Sequence, residues 1–249
     1  MFKAYNNKGG INMLLMYGDI NITEILKIHH HSYDTYSLDF KDNKNVKKYK
    51  DKLENSECDI NILKDSKKYC ITVEEVCNNE IIFYWKDEDP FVISKEEYLN
   101  NTRYKKDIDF SKAEEELKFP LHEDLKKFFR KSNFCHMYGG LSENQIPSTE
   151  KWGKWFEEDV VITLFGMDVG DNFERFIKSK FEEWTGGNDF GHRVWIGDLV
   201  DNRGNMLIVF NNDNGNVEWI DSEYGNFGNL EEDPNGILCT NIHNFIEML

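Results

Sequence analysis

The sequence has little of what marks a membrane-spanning or secreted protein. Its apolar runs all fall well short of the about 20 residues that a helix needs to cross a bilayer. The first twelve residues lack the apolar core of a secretory signal, and the run of residues 11–16 is too short to supply one. We therefore expect a cytoplasmic protein without membrane insertion.

Proline is also scarce, with four in 249 residues, and no Gly/Ser-rich linker interrupts the chain. Hydrophobic residues make up 39% of the sequence and aromatic residues 14%, which is enough to build a core. That composition excludes wholesale disorder. The length suits one large domain or two small ones.

The five cysteines, at positions 58, 70, 77, 135 and 239, form no Cys-x-x-Cys pair. Their spacing excludes a zinc ribbon and a redox pair of that type. Cys70 and Cys77 are near enough in sequence to approach each other, but reduced thiols in the core are the expected state.

Catalytic and nucleotide-binding motifs are absent as well: the chain has no P-loop, Gly-x-Gly-x-x-Gly, Gly-x-Ser-x-Gly or His-Glu-x-x-His sequence. Cys135 and His136 are neighbours, which does not bring thiolate and imidazole face to face. His192 and His243 are isolated, and residues 211–215 lack the distal Glu of a calcium loop.

We expect no enzyme, cofactor or metal site. An unrecognised hydrolase is the remaining enzymatic hypothesis, and it requires a pocket of convergent titratable groups.

Positive charge is missing from one end of the chain. No Lys or Arg follows Arg203, whereas eight Asp or Glu do. The net charge is −16: residues 1–118 hold 19 bases and 23 acids, and residues 119–249 hold 11 and 23. Such a surface repels nucleic acid and attracts a basic protein. The alternative interpretation is an acidic surface that only maintains solubility.

The first part of the chain is weakly patterned. Residues 21–26 predict a short helix capped by Asn21 or Thr23. The three adjacent histidines, His29 to His31, indicate a solvated loop, because neighbouring side chains diverge and no second ligand cluster is near in sequence. Six of the twelve residues in the segment 41–52 are lysine, which predicts an exposed helix or loop.

Two strands are predicted at residues 69–76 and 80–85, which are rich in Ile, Val, Tyr and Phe. The Asn78-Asn79 pair between them suits a tight turn.

Ser94 and Glu97 form a capping box for a short helix that ends near Asn101. The predicted hairpin and this helix together indicate an α+β unit. The charged stretch 104–118 predicts a linker helix. Residues 1–118 are thus an N-terminal α+β extension of unknown type.

From residue 119 the pattern changes to that of a larger α+β domain. The Phe119-Pro120 pair opens an amphipathic helix that ends near Ser132, with Leu121, Leu125, Phe128 and Phe129 on one face. Residues 139–141 predict a turn, and residues 160–165 predict a buried strand.

A second helix, capped by Asp171 and ended by Gly186-Gly187, has an aromatic face suited to core packing. Three short strands follow, at residues 193–196, 206–210 and 217–220. A loop from Asp221 to Asn235 leads to a last helix capped by Asn241. This order indicates a mainly antiparallel sheet with helices packed on it.

These motifs resemble, in their order, the SUKH superfamily of the Smi/Knr cell-wall-regulator type. The matching residues are Pro120-Leu-His-Glu-Asp-Leu125, Trp195-Ile-Gly-Asp198, Gly204-Asn-Met-Leu-Ile-Val-Phe210, Gly215-Asn-Val-Glu-Trp-Ile-Asp221 and Asn244-Phe-Ile-Glu-Met-Leu249. The resemblance implies a SUKH-like domain over residues 119–249, and a Syd-like branch is an alternative relative. It also implies a non-enzymatic protein, since many members are immunity proteins that neutralise toxins, often nucleases, and others are regulatory binding modules.

The signature positions themselves are expected to serve the fold. Gly197, Gly204 and Gly215 suit turns. Asp198 and Asp221 are expected at strand ends, where a carboxylate accepts backbone N–H bonds.

We expect the partner-binding residues in the base-free loop: Trp219, Asp221, Glu223, Tyr224, Phe227, Glu231, Glu232 and Asp233. Aromatic anchors ringed by weaker contacts are typical of tight interfaces. The leading hypothesis is an immunity or inhibitor protein that neutralises a basic toxin, such as a nuclease, or another enzyme. The alternative is a regulatory or scaffolding adaptor, associated with a translocon or with phage counter-defence, that acts through residues 1–118.

Overall fold

The computed structural model describes residues 13–17, 19–32, 35–55, 60–64, 67–77, 80–86, 89–101, 108–167, 171–224 and 227–249. The chain divides into two compact units, residues 1–90 with 168–172 and residues 91–167 with 173–249. The fold class is α+β with antiparallel sheets, as predicted. Among the helices in the described part of the chain, none is long and apolar enough to span a bilayer.

The first unit is a closed barrel of six antiparallel strands. These are β1 (Met13–Tyr17), β2 (Ile20–Ser32), β3 (Thr35–Phe40), β4 (Ile60–Lys64), β5 (Lys67–Val76) and β6 (Glu80–Trp85). Their order is β1-β2-β3-β6-β5-β4, and β1 also pairs with β4 to close the barrel. Alternate side chains such as Ile81 and Phe83 are fully buried, as expected for strands with one face toward a core.

The lysine-rich segment forms helix α1 (Asn43–Glu54). The Asp42 side chain caps it by accepting a hydrogen bond from the Lys44 backbone N–H at 2.9 Å. Val46 and Leu53 are buried, whereas Lys44, Lys47 and Lys48 are exposed. Of the two forms that the sequence allowed, the exposed helix is therefore the one observed.

The helix predicted at residues 21–26 and the loop predicted at His29 to His31 are wrong, because both segments belong to β2. Ile22, Ile25 and Ile28 are all buried at a spacing of three, which imitates a helical face. Two register shifts explain the spacing, one at Ile22 in the pairing with β1 and one between Ile25 and Lys27 in the pairing with β3, since a bulge lets residues three apart both point inward. His29 and His31 contact Asp39 and Ser37 on β3.

The predicted hairpin is confirmed as the β5–β6 pair, while its turn at residues 78–79 lies outside the described residues. The predicted capping box is also confirmed: Ser94 and Glu97 cap α2 (Lys95–Asn100) reciprocally. The hairpin and the helix do not form a common unit, however. The hairpin is part of the barrel, and α2 belongs to the second unit.

The second unit is a six-stranded antiparallel sheet with helices packed against it. Its strands are β7 (Met137–Leu141), β8 (Val160–Leu164), β9 (Arg193–Asp201), β10 (Gly204–Asn211), β11 (Val217–Ile220) and β12 (Asn235–Cys239), in the order β12-β11-β10-β9-β8-β7. The helices besides α2 are α3 (Ser111–Leu117), α4 (Glu123–Ser132), α5 (Phe173–Glu182) and α6 (Ile242–Met248).

The core of this unit extends further toward the N-terminus than the sequence boundary at residue 118. Tyr98, Phe110, Ala113 and Leu117 are buried in the same cluster as α4, α5 and the sheet. Helix α3 is therefore a packed core element and not a linker, because its apolar side chains lie on one face. Cys135 is a buried member of this core, and Cys239 packs against it.

The main elements of this unit follow the sequence. Helix α4 begins at Glu123, with His122 as its cap, and not at the predicted Phe119-Pro120 pair. It buries Leu125, Phe128 and Phe129 of the predicted apolar face, and Leu121 is buried just before it. Strands β8 to β11 overlap the four predicted strands, although β9 extends to Asp201, beyond the predicted end at residue 196, and the Asn241 side chain caps α6 as expected. Gly186 and Gly187 have positive φ just beyond α5, in agreement with a helix terminus.

The sequence analysis missed two edge strands of this unit. Residues 139–141 do not form a turn but lie in the edge strand β7, where they pair with β8. Glycine is required at position 139 by close packing, because a Cβ there would lie 2.7 Å from Cβ of Leu249. Strand β12 was not predicted, since its segment is short and contains one exposed and one buried apolar residue, Ile237 and Leu238.

Gly197 also differs from its predicted role as a turn residue. It lies inside β9, opposite Leu164 of β8, and a Cβ there would lie 2.2 Å from the Thr163 carbonyl oxygen. Close approach of two backbones, not positive φ, thus requires this glycine. Gly204 and Gly215 do have positive φ, in agreement with turns.

We predict that Gly197→Ala destabilises the protein by about 3 kcal/mol, because the added methyl group must push β8 away from β9. Urea unfolding of the full chain measures the change. Val161→Ala is the control, since it removes atoms from an exposed position on the same strand pair, and we expect it to change stability by less than about 1 kcal/mol. Equal effects of the two substitutions would contradict the backbone-contact explanation.

Candidate partner-binding surface

One end of the second sheet gathers three connections that are far apart in sequence. Strands β7, β9 and β11 end there, and β8, β10 and β12 begin there, because neighbouring strands run antiparallel. We call residues 142–159, 201–204, 221–224 and 227–234 together the acidic loop end. These segments contain 11 Asp or Glu and three Lys or Arg.

The three bases of the acidic loop end are already engaged. Lys154 pairs with Glu143 at 3.1 Å, and Arg203 pairs with Asp201 at 2.6 Å. Lys151 Nζ donates a hydrogen bond to the backbone carbonyl of Glu231. Since each base has a local partner, most of the acidic charge at this end is not neutralised within the described structure.

Asp233 supports the loop from inside and does not belong to its surface. It is 1% exposed, and its carboxylate accepts backbone hydrogen bonds from Gly228 at 3.0 Å and Asn229 at 2.8 Å. The Asn229 side chain in turn accepts the backbone N–H groups of Glu231 and Glu232. This network holds Glu231 and Glu232 at the surface, where both are exposed.

Trp219 and Phe227 also lie away from the position expected for a surface anchor. Trp219 is fully buried in β11, because its face of the strand points into the main core. Phe227 is half-buried and stacks on Phe190 at 4.9 Å in a second apolar cluster. Of the eight predicted residues, Glu223, Tyr224, Glu231 and Glu232 are exposed, and Asp221 is half-buried like Phe227.

Two tryptophans that sequence reasoning missed complete the surface. Trp155 and Trp152 lie 5.5 Å and 6.2 Å from the Tyr224 ring, and Trp155 stacks on the buried Trp219 at 6.0 Å. The sequence feature that could have indicated these two tryptophans is the acidic flank of their Trp-x-x-Trp segment, which contains Glu150, Glu157 and Glu158. The result is an aromatic centre with an acidic surround.

Asp221 and Asp198 differ in their roles. Asp221 follows β11 and accepts the Glu223 backbone N–H at 3.1 Å, which confirms its predicted turn role. Asp198 lies inside β9 and not at a strand end, and its carboxylate accepts a hydrogen bond from Trp195 Nε1 at 3.3 Å. Burial raises the pKa of Asp198 to about 6, although the Trp195 bond and the charge of Lys180 act in the opposite direction.

Other residues that the sequence analysis considered for catalysis or metal binding have partners within the protein. His136 accepts the Gly166 backbone N–H at its Nδ1 atom, in the core beside Cys135. His192 contacts Asp213 at 2.7 Å on the surface. Within the residues that the structure describes, no group of three or more His, Cys, Asp or Glu side chains is arranged to hold a metal ion.

Comparison with known proteins agrees with this architecture. The model of the SMI1 / KNR4 family (SUKH-1) matches residues 106–241, more than half of the chain. The match begins before α3 and ends at the cap of α6, so it covers all six strands of the second sheet. The chain matches no curated protein and no solved structure.

We predict that Asp198→Asn stabilises the protein at pH 8 by about 1–3 kcal/mol, because the raised pKa means that ionising this buried carboxyl opposes folding. The sign follows from the folded pKa of about 6 lying above the ordinary value of 3.8. The native state holds the proton more tightly, so the wild-type protein loses stability as pH rises through 6.

The difference in free energy of unfolding between Asp198→Asn and wild type should therefore disappear below about pH 4, where Asp198 carries the proton in both the folded and the unfolded state. Urea unfolding at several pH values measures this difference. Glu183→Gln, at an exposed position after α5, is the control and should show little difference across the same range. A pH-independent effect of Asp198→Asn would contradict the burial explanation.

Proposed function

We propose that this chain, which belongs to the SMI1 / KNR4 family (SUKH-1), is a non-enzymatic binding protein that engages a basic partner protein through its acidic loop end. In this proposal the partner is a toxin, such as a nuclease, or another enzyme, and binding neutralises it. The single observation that carries the proposal is the convergence of three acidic connections around the exposed Tyr224 ring and two half-buried indoles, with the local bases already engaged.

Electrostatics at this surface favours a basic protein over other ligands. Carboxylates close together strengthen the negative potential, which salt largely screens at distances beyond about 8 Å at physiological ionic strength. A protein with a basic surface is therefore drawn toward the acidic loop end and associates faster. Nucleic acid is repelled by the same field, so direct nucleic-acid binding is not part of the proposal.

The layout also fits an inhibitor more closely than a catalyst. Tight interfaces use aromatic anchors near the centre and polar groups at the rim, and Tyr224 with Glu223, Glu231 and Glu232 has this arrangement. Family membership supports the same interpretation, since SUKH domains are generally non-enzymatic immunity-type domains. Neutralisation by occupying a basic site needs no reacting group on this chain. We propose that this neutralisation takes place in the cytoplasm.

A regulatory adaptor is the second candidate function, and one observation favours it. The barrel has its own buried core and precedes the family match. It also carries exposed lysines on α1, at Lys44, Lys47 and Lys48. An adaptor would use this unit for its partner and the SUKH domain as a scaffold.

We predict that the variant Glu223→Lys, Glu231→Lys, Glu232→Lys loses partner binding by at least about tenfold and associates more slowly, because it replaces attraction by repulsion. Asp233 is left unchanged, since its buried carboxylate holds the loop. Wild type and variant serve as baits in native cell extract, and the captured protein is then purified for kinetic measurements at several salt concentrations.

A matched control reverses three exposed acids elsewhere in the same unit, Glu96, Glu115 and Glu183. It has the same net charge as the test variant and should bind like wild type. Equal binding by the test variant and wild type would refute the proposed surface. Loss of binding on reversal of Lys44, Lys47 and Lys48, but not of the three loop acids, would favour the adaptor.

A further inference from the structure

Tyr224 lies in the acidic loop end, and two indoles set the orientation of its ring. The ring is nearly perpendicular to both, at 81° to Trp155 and 69° to Trp152. Contacts with these indoles fix the plane of the ring on one side. Tyr224 is nevertheless 51% exposed, so a large part of its surface remains open to a ligand.

Two of the three rings already attract a cation from this chain. Lys151 Nζ lies 4.6 Å from the centre of the Trp152 ring, and the Arg203 guanidinium lies 5.3 Å from the Trp155 ring. Within the described part of the chain, no Lys or Arg lies over the Tyr224 ring. The most exposed ring of the three thus lacks the cation that its neighbours have.

Exposed carboxylates lie in the same loop as that ring. Glu223 is the adjacent residue, and its carboxylate lies over Gly204, where a Cβ would come within 2.8 Å of Oε2. Glu223, Glu231 and Glu232 form no salt bridge with any residue that the structure describes, and all three are exposed. The loop that holds the Tyr224 ring therefore also offers exposed carboxylates without a salt bridge in the described structure.

We infer that Tyr224 is the anchor point for an arginine side chain of the partner, stacked on the ring and paired with the neighbouring carboxylates. The inference rests on the proposed function, because it names the group of the basic partner that this surface recognises. Together with Lys151 on Trp152 and Arg203 on Trp155, the arriving guanidinium completes a set of three cation–ring contacts.

Arginine fits this place better than lysine for geometric reasons. A guanidinium is planar, stacks flat on an aromatic face and donates two parallel hydrogen bonds to one carboxylate. An ammonium is a point charge that holds its water more strongly and has no such plane. The surface should therefore distinguish the two residues even when the total charge of the ligand is the same.

The test uses the full chain and two peptides of equal length and charge, acetyl-Gly-Lys-Arg-Lys-Gly-amide and acetyl-Gly-Lys-Lys-Lys-Gly-amide. Tryptophan fluorescence and indole N–H chemical shifts are followed in titrations at low ionic strength. We expect the arginine peptide to bind at least about threefold more tightly, the scale of one exposed cation–ring contact. We also expect it to shift the Trp152 or Trp155 indole signals.

Three variants identify the group responsible. Tyr224→Ala should remove the preference for arginine and leave the lysine peptide almost unaffected, whereas Tyr224→Phe keeps the ring and should keep the preference. Tyr84→Ala removes a comparably exposed tyrosine, 41% exposed, from the barrel, and should change nothing. Thermal unfolding verifies that each variant is folded.

The outcomes separate this inference from the function on which it rests. Equal affinities for the two peptides in wild type, no binding of either peptide, or a preference that survives Tyr224→Ala would each overturn the arginine anchor. If the Glu223, Glu231, Glu232 reversal still abolishes capture of the native partner in any of these cases, the acidic binding surface stands without it. If that reversal has no effect on capture, the proposed function itself fails.

Discussion

The stack of Trp155 on Trp219 is the contact on which the candidate surface depends. Trp219 is fully buried in β11, and Gly236 on β12 leaves room for its indole, since a Cβ there would lie 2.7 Å from Nε1. Trp155 belongs to the long connection between β7 and β8. The stack therefore joins that connection to the sheet and provides the platform on which Trp152 and Tyr224 pack.

A surface with so many like charges is unfavourable for folding by itself, because neighbouring carboxylates repel one another. The loop compensates through backbone hydrogen bonds: Asp233 and Asn229 accept N–H groups, and the Asn235 side chain donates to Leu230 and Asp233 carbonyls. Such bonds hold the loop without neutralising its exposed acids. Binding of a basic partner would reduce the repulsion that remains between the exposed acids of this surface.

The two units differ in how they use their strands. The barrel closes on itself, whereas the second sheet is open and bears its candidate surface at the loop end. The family match covers the second unit from residue 106, but the core of that unit already includes Tyr98 on α2. The family match accordingly covers the second sheet and does not extend to the barrel.

The sequence by itself determined the α+β class, the helices with clear caps such as α2 and α6, and the strands bounded by strong turn signals. These depend on local chemistry: a capping side chain, an apolar face or a glycine in a turn. It also identified the family and the acidic loop, since motif order and charge are visible along the chain.

Only the tertiary structure decided which acids and aromatics lie at the surface. Trp219 and Tyr224 are five residues apart, yet one is buried and the other exposed, because Trp219 lies within β11 and packs into the main core, whereas Tyr224 lies in the loop that follows the strand. Asp233 and Glu232 are adjacent, but only Asp233 turns inward to bond the backbone. Trp152 and Trp155 join them from a distant segment, since antiparallel pairing brings alternate connections to one end of the sheet.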